Sequence, residues 1–441
     1  MKGVFSITPR IIAHFGEDLI KNESIALLEL VKNSYDACAR NCDIDFQMRD
    51  GQLESLTIID DGFGMSLETI QKVWLVIGTD FKKKRVAPNC CGRIPLGEKG
   101  VGRLGVHKLG NHISLISKTH NEKEVQLCIN WKQLDQAKEI NDFLIDISEN
   151  DTPLYFSQGN TGTRIVIKDL KSDWRKLREV YRDLTSLNSP FSEMNDSFNV
   201  NIRSNSDFFK GLPSFEDIKD SGLYFGHCVM KGGQIDNFEY EFRPWPTLNK
   251  IGQGRKVQKK DLIQEDLRLK GIKEDVDLKG RKKRVEYPID LRDEQIGDIV
   301  FDIIIYETDP MILSFANTEK ASLKSYLKEN GGVRVYRDNI RVYNYGESDN
   351  DWLGIDLRRV QRVGGNVSNN IILGSVKIDR TQSKGLKEKT NREGFIENDA
   401  YKVFVDSVNY VLSLFVRERN IDKETLATLY KKNRVVEPIL A

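Results

Sequence analysis

Glu29, Asn33 and Asp36 fall at i, i+4 and i+7 in the stretch ALLELVKNSYDA, so one face of a helix would carry a carboxylate, an amide and a second carboxylate. Farther along, LTIIDDGFGMS reads as a strand whose end carries Asp60, Gly62 and Gly64. A glycine-rich loop, GEKGVGRLG, occupies residues 97–105, and GTRIVI occupies 162–167. In this order the four segments describe a nucleotide pocket: an acid and amide helix, a strand end with a buried Asp, a phosphate loop, and a strand closing the base side.

Each residue type suits a step of that chemistry. Glu29 could orient and deprotonate a water attacking a γ-phosphate, as a general base within hydrogen-bond reach. Mg²⁺ keeps several waters and accepts few protein oxygens, so the Asn33 amide suits it as a ligand. Asp36, on the same face, could hold a water near adenine or ribose. Taken alone, ELVKNS equally describes an exposed polar helix face. A carboxylate at Asp60 accepts the exocyclic amine of adenine, where guanine carries a carbonyl. Gly62 and Gly64 would let the backbone pass under a base without side-chain collision, although DGxG is also an ordinary turn. Thr163 could hydrogen-bond the same base edge through its hydroxyl or a water, and Met65 is a further nucleotide-binding candidate. Gly97, Gly100, Gly102 and Gly105 offer backbone N–H groups to phosphates, with Lys99, Val101 and Arg103 in the same loop. No Lys-Ser or Lys-Thr closes this loop, so it is not a Walker-type site.

Together these residues resemble the GHKL superfamily of ATPases, which includes gyrase, HtpG-type chaperones, histidine kinases and MutL, with the MORC proteins close by. ELVKNSYDA is similar to the family's N box, IDDGFGMS to its first glycine box, GEKGVGRLG to its second and GTRIVI to its last. The resemblance implies a Bergerat-fold ATP site, with Glu29 as base, Asn33 on Mg²⁺ and Asp60 on adenine, and makes GTDFKKK at 78–84 the lid. Farther on, Gln382-Ser383-Lys384 is similar to the loop whose lysine reaches ATP in the gyrase and MutL branch. Asn391-Arg392-Glu393 is similar to the corresponding chaperone segment. Either Lys384 or Arg392 is therefore expected to neutralise charge on the γ-phosphate.

The elements that must position these groups follow from patterning. Leu27, Leu30, Val31 and Cys38 give residues 23–40 an apolar helical stripe, capped by Asn22 or Ser24. A strand at 53–60 and a helix from Ser66 through Val76 follow. HISLISKT, VQLCINW and TRIVIKDL read as strands. The fold class is α/β, an α+β sandwich: a Bergerat-type ATPase domain and then a transducer-like α/β domain. The expected divisions are a strap at 1–22, the nucleotide domain at 23–185, a connector at 186–215, a second domain at 216–420, and a tail at 421–441, with residues 171–215 reading as mainly helical and polar. Residues 249–284, rich in Lys and Arg, read as a solvated excursion or a basic arm. A long helix is expected over 398–417.

Composition bounds the rest. The chain has 441 residues, net charge +1 and six cysteines. That charge gives no global pull toward nucleic acid or membrane. No apolar run reaches membrane-spanning length, and the N-terminus lacks a signal-peptide core, so a cytoplasmic location is expected. Cys38, Cys42, Cys90, Cys91, Cys128 and Cys228 form no CxxC pair and read as reduced thiols. His14, His107, His112, His120 and His227 show no metal spacing. The function expected is Mg²⁺-dependent ATP hydrolysis driving a homodimerising switch, with the strap exchanging across the dimer. No nuclease, topoisomerase or chaperone dimerisation segment is evident, so output chemistry is expected from an unknown protein or DNA partner. A nucleotide-gated binding subunit is the alternative. A histidine kinase is disfavoured, because only His14 lies upstream, in a segment too short for the two-helix hairpin.

Overall fold

The computed structural model describes residues 8, 22–76, 91–93, 95, 105–137, 139–157, 159–171, 174–191, 198–276, 282–316, 319–361, 367–389 and 394–430. The chain divides into two compact units, one of residues 1–187 and 193–211, the other of 188–192 and 212–441.

The first unit is built on a seven-stranded mixed sheet. Its strands are β1 (Asn41–Arg49), β2 (Gln52–Asp60), β3 (Gly110–Lys118), β4 (Glu124–Asn130), β5 (Asp146–Asn150), β6 (Gly162–Leu170) and β7 (Asn199–Ser204), in the order β5-β4-β3-β6-β2-β1-β7. All neighbours are antiparallel except β1 and β7. Along β1 the side chains alternate, with Cys42, Ile44 and Phe46 buried and Asp43, Asp45 and Gln47 on the wetter face, as a strand covered on one side requires. Three helices contribute to that core: α1 (Glu23–Asp36), α2 (Gly105–Leu109) and α3 (Leu177–Thr185), with α1 against both others. Ile25, Leu27, Leu28, Leu30 and Val31 of α1 are buried with Val106, Leu109, Val180 and Leu184.

β7 corrects the mainly helical reading of 171–215. Its described residues hold one α-helix, α3, two 3₁₀ turns (Trp174–Lys176 and Asp207–Phe209) and a strand whose Val200 and Ile202 pair alongside Cys42 and Ile44 of β1. Its alternation is short and set among polar residues, so periodicity alone did not reveal it. The helix expected from Ser66 is also altered. Ser66 caps it, accepting from the Thr69 amide at 3.1 Å, and an α-turn (Leu67–Thr69) passes into a π-helical turn (Ile70–Trp74).

The second unit centres on another seven-stranded mixed sheet. Its strands are β8 (Tyr224–Lys231), β9 (Gln234–Phe242), β10 (Arg255–Gln258), β13 (Ile299–Ile305), β14 (Gly332–Arg337), β15 (Ile340–Val342) and β16 (Ile372–Ile378), in the order β10-β9-β8-β13-β16-β14-β15. A separate hairpin joins β11 (Lys270–Val276) to β12 (Lys282–Pro288). The charged stretch 249–284 therefore adds one strand to the sheet and half of a hairpin, rather than forming a purely solvated excursion. Helix α4 (Lys320–Asn330) precedes β14, and Asp338 and Asn339 turn between β14 and β15 at φ of 52° and 65°, a left-handed pair that Asp and Asn tolerate.

The last helix, α5 (Asp399–Tyr430), runs 32 residues, well past the expected end near Arg417. Its extra turns bury Glu418, Arg419, Asp422, Leu426 and Tyr430. Those acids read as solvent-facing in a sequence. Here Arg255 of β10 bonds Glu418 at 2.9 Å and Asp422 at 2.9 Å, and the Tyr240 hydroxyl donates to Asp422 at 2.6 Å. Replacing Arg255 with Ala removes the cation paired with Asp422 and leaves Glu418 with Arg417 alone. We expect a loss of about 1–3 kcal/mol for this partly exposed arginine, measured by urea unfolding. Arg49→Ala, which removes only an exposed pair with Glu54, serves as the near-neutral control.

Candidate nucleotide site

Helix α1 starts where Asn22 accepts from the Ile25 amide at 2.9 Å and places Glu23 in its first turn, both favourable at a helix N-terminus. Its far end is clamped. Cys38, just past the helix at φ 59°, is disulfide-bonded to Cys91 with Cα atoms 6.0 Å apart. The Arg93 guanidinium donates to Ala39 O at 2.6 Å and Tyr35 O at 3.3 Å and lies 4.5 Å over the Tyr35 ring. A cation at that end also complements the helix dipole. The disulfide corrects the expectation of reduced thiols at these two positions: 53 residues separate them, and only the fold brings them together. Cys42, Cys128 and Cys228 are free.

The centre of the site is Asp60, the last residue of β2, buried in the sheet. Its Oδ1 accepts from the Gly62 amide at 3.0 Å and the Thr163 amide at 3.3 Å, and its Oδ2 from the Ser34 hydroxyl at 3.0 Å. A carboxylate offers about four acceptor positions, so one remains on Oδ2. Burial pushes the Asp60 carboxyl up to about 6, and the three hydrogen bonds offset only part of that. Ser34 also receives the Cys42 thiol at 3.6 Å, and that thiol is itself raised by burial and by Asp60. Asp61 is different: exposed, it accepts from the Arg40 and Asn41 amides at 2.7 and 2.9 Å and secures the entry to β1.

The glycines are required by the protein itself. A Cβ on Gly62 would stand 2.6 Å from Ala37 O, and one on Gly64, at φ 68°, would stand 2.1 Å from Lys118 O. On Gly162, at φ 147°, it would stand 2.0 Å from Asp60 O. Room for a base is therefore not their sole reason. Phe63 N donates to Ala37 O at 2.9 Å and the Thr161 hydroxyl to Gly62 O at 2.7 Å, which fixes this loop between α1 and β6. Met65 N donates to the Ser117 hydroxyl at 2.8 Å, and Ser117 shares a 2.9 Å bond with the Thr163 hydroxyl. The Thr163 side chain is thus already engaged, while its amide serves Asp60.

Asp60, Gly62, Gly64, Met65 and Thr163 come together, and Ser34 ties them to α1. Glu29, Asn33 and Asp36 share α1 at the expected spacing. Glu29 is buried at 5% exposure, which sets aside the exposed polar face for that residue, and its carboxylate lies 3.5 Å from Lys32. Lys99, Gly100, Val101, Gly102, Arg103 and Arg392, the strap at 1–15 apart from residue 8, and the expected lid segment 78–84 lie outside the described residues. Lys384 belongs to the second unit, where it lines an open cleft with Lys231, Arg268 and Arg292. Sequence reading missed Ser34 and Ser117. Ser34 lies about 140° around α1 from Glu29, and its hydroxyl reaches Asp60 of β2.

Residues 21–163 match the family described as Histidine kinase-, DNA gyrase B-, and HSP90-like ATPase. The first unit carries a GHKL-type ATPase domain. Such a domain implies ATP binding and hydrolysis. No curated protein matches the chain. No helix among the described residues is long and apolar enough to cross a membrane.

The raised Asp60 carboxyl has a measurable consequence in the ligand-free protein. Its neutral form is favoured by the fold, so its stabilising contribution is complete below the ordinary value near 4 and is lost as pH rises through about 6. Carboxyl NMR of ligand-free protein should show one resonance, absent in Asp60→Asn, titrating near 6. A midpoint near 4 would contradict the desolvated environment.

Proposed function

We propose that this chain is a Mg²⁺-dependent ATP hydrolase of GHKL type that works as a conformational switch. The observation that carries the reading is the single unfilled acceptor position on Asp60, in a buried site where its charge is costly. An adenine amine donating there would stabilise the ionised carboxylate that the empty site penalises. Thr163 and Met65 hold the neighbouring backbone in place, and Asp36 holds a water beside base or ribose. Glu29 takes a proton from the attacking water. Its burial beside Lys32 supports a carboxylate held in one place.

Asn33, half-buried one turn beyond Glu29, offers a hard amide oxygen that fits a small divalent cation sharing its sphere with phosphates and water. Among the described residues no group of three His, Cys, Asp or Glu side chains could hold a metal ion. Mg²⁺, when bound, supplies neutralisation of phosphate charge. Lys99, Gly100, Val101, Gly102 and Arg103 embrace the phosphates, and Lys384 or Arg392 senses the γ-phosphate. The second unit would act as transducer, ATP would favour a homodimer, and the output would be delivered to a protein or DNA partner. These finer roles rest on the resemblance of the motifs.

A nucleotide-gated binder with little turnover is the second reading, favoured by the engagement of Glu29 with Lys32. One variant separates them. Glu29→Ala should reduce ATP hydrolysis by about 10²-fold or more, the scale of general-base catalysis, while calorimetry finds ATP affinity little changed. Turnover equal to wild type would remove Glu29 from the role of base. Barely detectable turnover in both proteins would favour the binder.

A further inference from the structure

The sheet of the first unit has a second face, opposite the one that carries Asp60. Strand alternation turns Thr57 and Ile59 of β2 away from Ile58 and Asp60, and β6 turns Arg164, Val166 and Lys168 to the same side. These residues floor an open cleft of about 670 Å³, within the size range of small-molecule sites. Arg164, on the strand at its centre, is half-buried. Among the described residues its side chain makes no hydrogen bond and has no carboxylate within ion-pair distance, and its buried Nε is unpartnered. The guanidinium lies 4.9 Å from the centre of the Tyr155 ring. That ring is fixed by its backbone. Glu124, fully buried, accepts from the amides of Leu154, Tyr155 and Phe156 at 2.7, 3.0 and 2.9 Å.

Strand register keeps the acids of this face away from Arg164. One row of residues crosses the cleft as Asp45, Thr57, Val166, Ser114, Cys128 and Asp146. Its two carboxylates stand two and three strands from β6, or roughly 10 and 14 Å. In the row of Arg164 the acid is Asp43, already held by Arg203 at 3.2 Å and Asn201 at 2.8 Å. We propose that this cleft binds a small organic monocarboxylate with an apolar or aromatic body. The planar fork of Arg164 matches a carboxylate, and its open Nε supplies one of the donors. Tyr155, Ile59 and Leu144, the last 82% exposed, offer apolar surface to the body of the ligand. Asp45 and Asp146 at the flanks disfavour a multiply charged phosphate. The site does not depend on the nucleotide reading, since it occupies the other face of the sheet.

The test uses the full chain at pH 8. Calorimetry and saturation-transfer NMR compare 2-naphthoate, indole-3-acetate and octanoate, each with its neutral primary amide. At least one carboxylate should bind about 10-fold or more tighter than its amide, the scale of a hydrogen bond to a charged group. Arg164→Gln should abolish that preference. Tyr155→Ala alters a ring that is 45% exposed, so it serves should the first variant fail to fold. It should weaken carboxylate binding about threefold or more, the scale of a lost aromatic contact. Absence of binding by every probe would mean a cleft that holds water only, and would overturn the proposal. Equal affinity for carboxylate and amide, a preference that survives Arg164→Gln, or undiminished binding in Tyr155→Ala would overturn it as well.

Discussion

A single desolvated carboxylate organises the nucleotide unit. Asp60 ends β2 inside the sheet, and the fold spends three donors, from Ser34, Gly62 and Thr163, on keeping it there. Each donor belongs to a different element: α1, the glycine loop and β6. The same contact therefore sets the distance of the helix from the sheet and the path of the loop between them. The three bonds do not return the carboxyl to its ordinary range. A buried carboxylate held by three donors in this way has its acceptor geometry fixed by the fold.

The tolerances around Asp60 are narrow for the same reason. Gly62, Gly64 and Gly162 let Ala37, Lys118 and Asp60 approach by backbone alone, and a methyl group at any of them would overlap a carbonyl oxygen. Ser117 joins β3 to this arrangement through Met65 and Thr163. At the other end of α1, the Cys38–Cys91 bond and Arg93 fix residues 91–93 to the helix end. Asp60, the helix bearing Glu29 and Asn33, and residues 91–93 are thus mechanically joined.

Much of this was legible in the sequence, and what was not has definite causes. The α1 stripe, the Ser66 cap, and the runs of β2, β3, β4 and β6 follow local periodicity, so they could be read without the fold. β7 and β10 are short strands in polar sequence that gain their stability from a neighbour far along the chain, which periodicity cannot register. The end of α5 was misplaced because Glu418 and Asp422 look solvent-facing until Arg255 and Tyr240, more than 160 residues earlier, are brought against them. Ser34 and Ser117 escaped notice because a serine in a helix or strand carries no signature of its own, and its role depends on what lies opposite. The disulfide is similar: Cys38 and Cys91 belong to no spacing motif. Residue types and order pointed to the chemistry of Asp60, whereas its support is a product of tertiary structure.

Base discrimination tests the central claim most directly. The open acceptor position on Asp60 suits a donor such as the adenine exocyclic amine, and guanine presents a carbonyl oxygen there, which would face the carboxylate unpaired. Calorimetric titration of the full chain with ATP and with GTP, each with Mg²⁺ at pH 8, should give a preference for ATP of at least about 100-fold, and Asp60→Asn should largely lose it. Equal affinity for the two nucleotides in the wild type would contradict a base read by Asp60.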